Sequence, residues 1–427
     1  MPVIDTLVLV RGVHFAATVV ATGTVGFIVL VMEPALRGIG GVALLRRLTI
    51  LVWAALAVAI VTGLAWLALV AASILDAPLT EVLSQGAVST VLVDTRFGEI
   101  AGLRLGLAVT LGLLMVTPGF PGRRVLLLAA AAALAGLLAF VGHAGATPGA
   151  AGWLHLTSDL VHLLAAAAWL GGLPAFAMML SWSRGRADPA GGALAIAATA
   201  RFSVLGIVCV GALLASGLIN SWELLNGPSD LLATAYGRVL SLKIGLFAVL
   251  VAIAAVNRYR LSPRLPGAAA MRALQRNTLV ETGAGLAVLM LVGLLGTMIP
   301  GGHVHTNAAL ASSEAAFVHI HTEAVMADVT IDPGHAGNST ATIRLSRDDS
   351  SVYFARSVQI TLAPREFVAP PVERAAAQMP DGTWRIENLE IPRAGVWTLR
   401  LDVDIGTGAP VVLDAPIVIT QCSNECW

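Results

Sequence analysis

Eight stretches of this chain are apolar over the length that crosses a lipid bilayer, and no other feature limits the fold as strongly. A helix needs about 20 apolar residues to span the hydrocarbon core. Such runs lie near residues 7–32, 48–75, 100–117, 124–142, 154–180, 202–220, 239–257 and 277–299. Within a bilayer every backbone N–H and C=O must be bonded internally, so these runs are expected to be packed helices. The third is the weakest, because Arg104 interrupts it and Pro118 closes it early. The first is expected to remain as a helix rather than serve as a secretory signal: it is too long, carries His14 and lacks a small-x-small cleavage site. Charged residues make up only 12% of the chain, against about 25% in soluble domains. The zero net charge says nothing about nucleic acid, but there is no basic patch, so nucleic acid is not an expected partner and the lipid bilayer is.

Arginines set the expected orientation. Arg37, Arg46 and Arg47 follow span one, Arg123 and Arg124 span three, Arg184 and Arg186 span five. Arg258, Arg260, Arg264, Arg272 and Arg276 follow span seven, while the alternate loops hold chiefly Arg96 and Arg238. The positive-inside rule then puts both termini outside, with Arg11 as a minority vote against.

Beyond Pro300 the pattern changes. Charged residues return, and β-branched alternation marks strands at 325–331, 340–345, 358–362, 383–389, 397–403, and 411–413 with 417–419. Asp332-Pro-Gly334, Pro380-Asp-Gly382 and Ala394-Gly395 supply turn chemistry. About seven short strands in roughly 105 residues predict an immunoglobulin-like β-sandwich. The predicted fold is therefore a mainly α, polytopic membrane bundle over 1–302, a linker over 303–313, an outer all-β domain over 314–420 and a tail over 421–427.

His155, Asp159 and His162 open span five at offsets i, i+4 and i+7. These fall within about 60° on one helix face. Ionisable groups inside a membrane are costly and are functional candidates by default. Two imidazoles flanking a carboxylate suggest a metal half-site. With the orientation above, His14 and His143 fall at the same outer end, and either completes the site or caps a loop. His303 and His305, then His319 and His321, follow span eight outside, so none of the nine histidines lies in an inner loop. Met298, one turn before the outer end of span eight, offers a thioether. Imidazole and thioether favour copper; imidazole with carboxylate also suits zinc, iron or nickel. Glu281, one turn into span eight from the inner side, relays protons or ions or pairs with Arg276 or another interfacial arginine. Lys243 is the only lysine and receives no functional weight on that account. Three cysteines are too few for a disulfide framework; Cys422 and Cys426 could pair or bind a soft metal. No His-Glu-x-x-His, Gly-rich phosphate loop or Gly-x-Ser-x-Gly elbow is present, so neither a hydrolase nor a nucleotide-driven pump is expected, and the chain is not read as an enzyme.

His155-Leu-Thr-Ser-Asp159-Leu-Val-His162 with Trp169-Leu-Gly171-Gly172 resembles the signature helix of the copper resistance protein D (CopD) family. Thr95-Arg-Phe-Gly98 with Arg104 resembles an outer-loop motif of that family. Thr234-Ala-Tyr236-Gly237-Arg238-Val-Leu-Ser-Leu-Lys243 resembles its Thr-x-Tyr-Gly-Arg-x-Leu-x-x-Lys motif. The outer domain, with Asp381-Gly-Thr-Trp384 and Gly395-Val-Trp397, is similar to the YtkA-like domain that follows the membrane region in YcnJ-type copper uptake proteins. The resemblance implies copper import at the outer face of a bacterial plasma membrane. His155 and His162 would bind the copper ion, and Asp159 would orient an imidazole or ligate. His303 and His305 would pass copper between domain and bundle. The family's CopC-like domain has no counterpart before span one, so a separate extracytoplasmic copper chaperone or the C-terminal domain would capture the metal. Two other readings stay open: a non-transporting factor that delivers copper to a cuproenzyme such as a terminal oxidase, and a b-haem electron-transfer protein.

Overall fold

The computed structural model describes residues 2–36, 41–75, 78–84, 87–117, 119–141, 149–186, 189–225, 227–298, 315–321, 325–346, 355–364, 370–379, 382–404 and 411–421. It divides into two compact units, Met1–Gly301 and Gly302–Trp427. The first is helical and the second all-β, in the order expected.

Among the described residues eight helices are long and apolar enough to cross a membrane. They are α1 (Pro2–Phe27, extended by a π-helical turn, Ile28–Met32), α2 (Val42–Leu75), α3 (Arg96–Val116) and α4 (Arg123–Gly136). The others are α5 (Gly149–Leu170, continued by Leu173–Arg184), α6 (Pro189–Leu224), α7 (Ala235–Val256) and α8 (Ala268–Leu295). Two begin well before the apolar runs that announced them. In α6, Arg201 ends the apolar run but not the helix, because arginine is a good helix former, and Pro189 sits at the first helical position where its missing N–H is harmless. In α8, Ala268 to Asn277 is rich in Ala, Gln and Arg, which hydropathy ignores and helix propensity favours.

The bundle is organised around α1 and the fifth span. Their apolar windows are 78% and 72% buried, against 11% for α7. Van der Waals packing, not hydrophobicity, holds helices together in lipid, and small residues allow the closest approach. A methyl added at Gly171 would lie 2.0 Å from the Val19 carbonyl oxygen, and one at Gly23 2.1 Å from that of Ala167. The backbones of α1 and α5 are therefore in contact at this crossing. Farther along α1, a methyl on Gly293 of α8 would meet the Gly12 nitrogen at 2.7 Å. Arg11, the minority vote on orientation, is accounted for here. It donates to the Gly296 carbonyl at 2.9 Å, one residue past the end of α8, and its guanidinium stacks on Trp66 at 5.0 Å. A cation at a helix C-terminus is favourable.

The second unit has a five-stranded antiparallel sheet, ordered β1-β2-β3-β7-β6, and a four-stranded one, ordered β5-β4-β8-β9. The strands are β1 (Ala316–His321), β2 (Met326–Asp332), β3 (Gly337–Ser346), β4 (Ser357–Pro364), β5 (Val372–Ala375), β6 (Ala377–Gln378), β7 (Trp384–Ile391), β8 (Gly395–Asp404) and β9 (Val411–Ile419). Inward residues of both sheets, among them Val329, Ile343, Ile360, Leu399 and Trp397, form one core, as face-to-face packing requires. The nine described strands include three not expected, β1, β5 and β6, while two of the seven expected merge into one. All three are sheet edges, and β5 and β6, largely exposed, lack the buried alternating face that announces a strand. Residues 411–413 and 417–419 belong to one strand, which runs on through Pro416 opposite Thr398.

Candidate metal site

His155, Asp159 and His162 lie on α5 where it meets α6, and α6 supplies most of their partners. The Ser158 hydroxyl donates to the Ser216 carbonyl at 3.0 Å. The Ser216 hydroxyl donates to the Ala212 carbonyl at 2.6 Å, the usual i−4 bond of a serine in a membrane helix. With that proton committed, the Ser216 oxygen accepts from the His162 Nδ1–H at 3.0 Å. The network therefore assigns the Nδ1–H tautomer to His162 and leaves Nε2 as the ring's lone-pair atom. One turn earlier the Asn220 amide donates to Asp159 Oδ1 at 3.3 Å. His155, buried, feels the charge of Glu223 at the end of α6.

From α7, the ammonium of Lys243 lies within electrostatic reach of Asp159, and the phenol of Tyr236 feels the Asp159 charge. They are seven residues apart and so share one helix face. Thr234 starts that helix, its hydroxyl accepting from the Gly237 N–H at 2.9 Å, a standard N-cap. Thr95 caps α3 in the same way, accepting from Gly98 at 3.0 Å. The threonines and glycines of the two loop motifs are thus helix-starting devices, whereas Tyr236 and Lys243 couple electrostatically to Asp159. Lys243 received no functional weight in the sequence; its coupling to Asp159 supplies it.

The three polar residues of α5 form a ladder. His155 and His162 are seven residues apart, about 10.5 Å along the axis at 1.5 Å per residue. Among the described residues no three His, Cys, Asp or Glu side chains stand close enough to hold one metal ion together.

His14 stands in a different setting. A carbonyl can only accept, so His14 Nδ1–H donates to Ala59 of α2, at 2.9 Å. Its Nε2 lone pair then accepts from Arg104 of α3 at 2.7 Å. Arg104 also donates to Thr18 at 3.3 Å. The interruption of span three is a buried arginine held by a neutral histidine. Met298 packs against the cluster of Tyr236, Leu240 and Leu295. His319 and His321 take register positions opposite Asp328 and Met326 in the β1–β2 ladder. His143, His303, His305, Cys422 and Cys426 lie outside the described residues. Glu281 accepts from the Asn257 amide at 2.8 Å, and that amide, not Arg276, is the partner the structure gives it.

The sequence also matches known proteins. Residues 196–295 match the family described as copper resistance protein D, and residues 2–153 match the copper resistance protein D-like N-terminal domain. Inner membrane protein YebZ of Escherichia coli K12 is 35% identical over 212 residues, 49% of this chain and 71% of that protein. Copper resistance protein D of Pseudomonas syringae pv. tomato is 31% identical over 172 residues, 38% of this chain and 55% of the relative. Copper transport protein CutJ of Bacillus subtilis 168 is 25% identical over 271 residues, 62% of this chain and 46% of the relative. The two relatives named for copper are therefore matched over about half their length.

Proposed function

Because the chain belongs to the copper resistance protein D family, we propose that it carries copper ions into the cell across the bacterial inner membrane, along the polar face of α5. The observation that carries this reading is the His162–Ser216–Ala212 chain of hydrogen bonds. It fixes the tautomer and leaves a lone pair on Nε2, the arrangement by which a protein prepares an imidazole for a metal. Imidazole nitrogen suits copper, which here is cargo rather than a resident cofactor. The ladder spacing supports passage over storage. Conduction requires sites strong enough to enter and weak enough to leave, and single imidazoles with a carboxylate between them satisfy that better than a closed cage. In this reading His155 takes the ion first, Asp159 balances its charge at the middle step, and His162 releases it.

Both termini and the β-sandwich lie outside the cytoplasm in this proposal. The arginine bias of alternate loops supports this; Arg124 pairs with Glu33 and Arg184 with Gln275, so the helix ends it assigns to the inner side meet in pairs. His143, His303, His305, His319, His321 and Met298 would receive copper from a soluble extracytoplasmic chaperone and pass it to His155. His14 joins the path only when Arg104 leaves its Nε2. Transport rather than catalysis is the activity, driven by membrane potential or by chaperone delivery.

Copper accumulation in cells making the wild type or the His155→Ala/His162→Ala variant tests the reading. The variant should accumulate copper at the level of cells without the protein. Equal accumulation, with both proteins present in the membrane, would contradict the proposal. Normal cell copper with lost terminal-oxidase activity would instead select a delivery role.

A further inference from the structure

The pairing of β1 with β2 brings two histidines, a methionine and an aspartate to one corner of the β-sandwich. The strands run antiparallel, with His321 opposite Met326 and His319 opposite Asp328. Along β2 burial alternates: Ala327, Val329 and Ile331 enter the core, while Met326, Asp328 and Thr330 lie half-buried on the outer face. Ile320 of β1 enters the same core, so His319 and His321, on either side of it, take the outer face as well. Opposed residues of a ladder stand about 5 Å apart between Cβ atoms, and residues two apart on one strand about 7 Å. The four positions are thus the corners of a small rectangle, and they lie on an edge strand and its one neighbour. Elsewhere the outer face of β2 and β3 carries Thr330, Thr342, Arg344 and Ser346, residues suited to a solvated sheet. Met326 is out of keeping with them, and it stands directly opposite a histidine.

We infer that His319, His321 and Met326 bind a copper(I) ion on this face, with Asp328 as the residue that positions the His319 imidazole. Thioether sulfur selects Cu(I), and imidazole suits copper, whereas zinc takes thiolate, imidazole and carboxylate. Asp328 has Arg344 opposite it on β3, an opposite charge in the next rung, so the carboxylate is balanced without a metal. A carboxylate beside a ligating imidazole fixes the ring's tautomer and orientation. The choice of copper rests on the copper reading above. The site itself lies within the second unit and does not require passage along α5.

The test uses the purified full chain carrying His155→Ala, His162→Ala, Cys422→Ser and Cys426→Ser, so that neither α5 nor the tail competes for the ion. Cu(I) is titrated against a chromophoric chelator. The chain should withdraw copper from the chelator, and excess zinc should not displace it. Groups that support a metal ligand are worth about 10–100-fold in affinity, and a ligand should be worth no less. Met326→Leu, which keeps the side-chain volume, should therefore weaken binding at least about tenfold and remove the copper–sulfur contribution from the X-ray absorption spectrum. His319→Ala/His321→Ala should remove this binding. Asp328→Asn should weaken it about tenfold with the sulfur contribution intact, and Asp328→Glu should restore it. Thr330→Ala, on the same face but outside the rectangle, should bind as the parent does. Unchanged affinity in Met326→Leu or in His319→Ala/His321→Ala would overturn the inference, as would displacement of the copper by zinc. Copper bound in this way by a chain that conducts none would contradict transport and leave this site standing.

Discussion

Lys243 of α7 lies within electrostatic reach of Asp159 of α5, and through this pair two stretches separated by about 70 residues of chain become one site. The charge of one offsets that of the other in a region where either alone would be costly. The pair also explains a division of labour within the second motif. Thr234 and Gly237 begin the helix, and the same helix carries Tyr236 and Lys243, which couple electrostatically to the carboxylate.

Removing Lys243 should therefore disable the site more than the bundle. Supporting groups around metal ligands are typically worth about 10–100-fold in affinity or activity, so Lys243→Met should lower copper uptake by about that factor. Combining it with Asp159→Asn should cost less than the sum of the two, since coupled partners are not additive. Uptake rates of the two single variants and the double variant, normalised to protein in the membrane, check this.

Ser216 should matter through His162. Ser216→Ala removes the acceptor of the Nδ1–H and frees the ring to turn or change tautomer. Copper affinity, measured by competition with a chromophoric chelator, should fall by about 10–100-fold. The helix should be unharmed, because the lost bond to Ala212 is one a membrane helix does not need.

Much of this was legible in the sequence. The eight spans, the change to β structure and the α5 face all follow from hydropathy and periodicity, because those elements bury a continuous stripe. What periodicity could not supply was partnership. Ser216, Asn220 and Glu223 look like ordinary polar residues near the end of a long apolar helix until α6 is placed against α5. The rarity of lysine carries no functional signal in the sequence, yet Lys243 lies within electrostatic reach of a membrane carboxylate. Arg104 read as a flaw in span three, and its pairing with His14 gives that flaw a partner. The edge strands β5 and β6 escaped notice because short, exposed edges carry little hydrophobic pattern.

The α1–α5 crossing should tolerate no side chain. With a methyl at Gly171 directed to 2.0 Å from the Val19 carbonyl, Gly171→Ala forces the helices apart. It should destabilise the bundle by about 1–3 kcal/mol or more, seen as a lower thermal unfolding temperature in detergent. Gly26 of α1, which faces open space, is the control, and Gly26→Ala should unfold at or above the wild-type temperature.

In the β-sandwich, Trp397 is completely buried and donates its indole N–H to the Arg393 carbonyl at 3.1 Å. Trp397→Ala should destabilise that unit by about 3–5 kcal/mol, read by limited proteolysis of the full chain as faster cleavage after residue 315 with the helical unit intact.

The most direct measurement is copper flux into proteoliposomes containing the purified full chain, followed with a copper-sensitive dye trapped inside. Wild-type protein should fill the vesicles at a rate that saturates with external copper, and His162→Ala should reduce that rate to the level of protein-free vesicles. Saturable flux that is unchanged in His162→Ala would contradict a path along α5, and no flux from correctly folded wild-type protein would contradict transport itself.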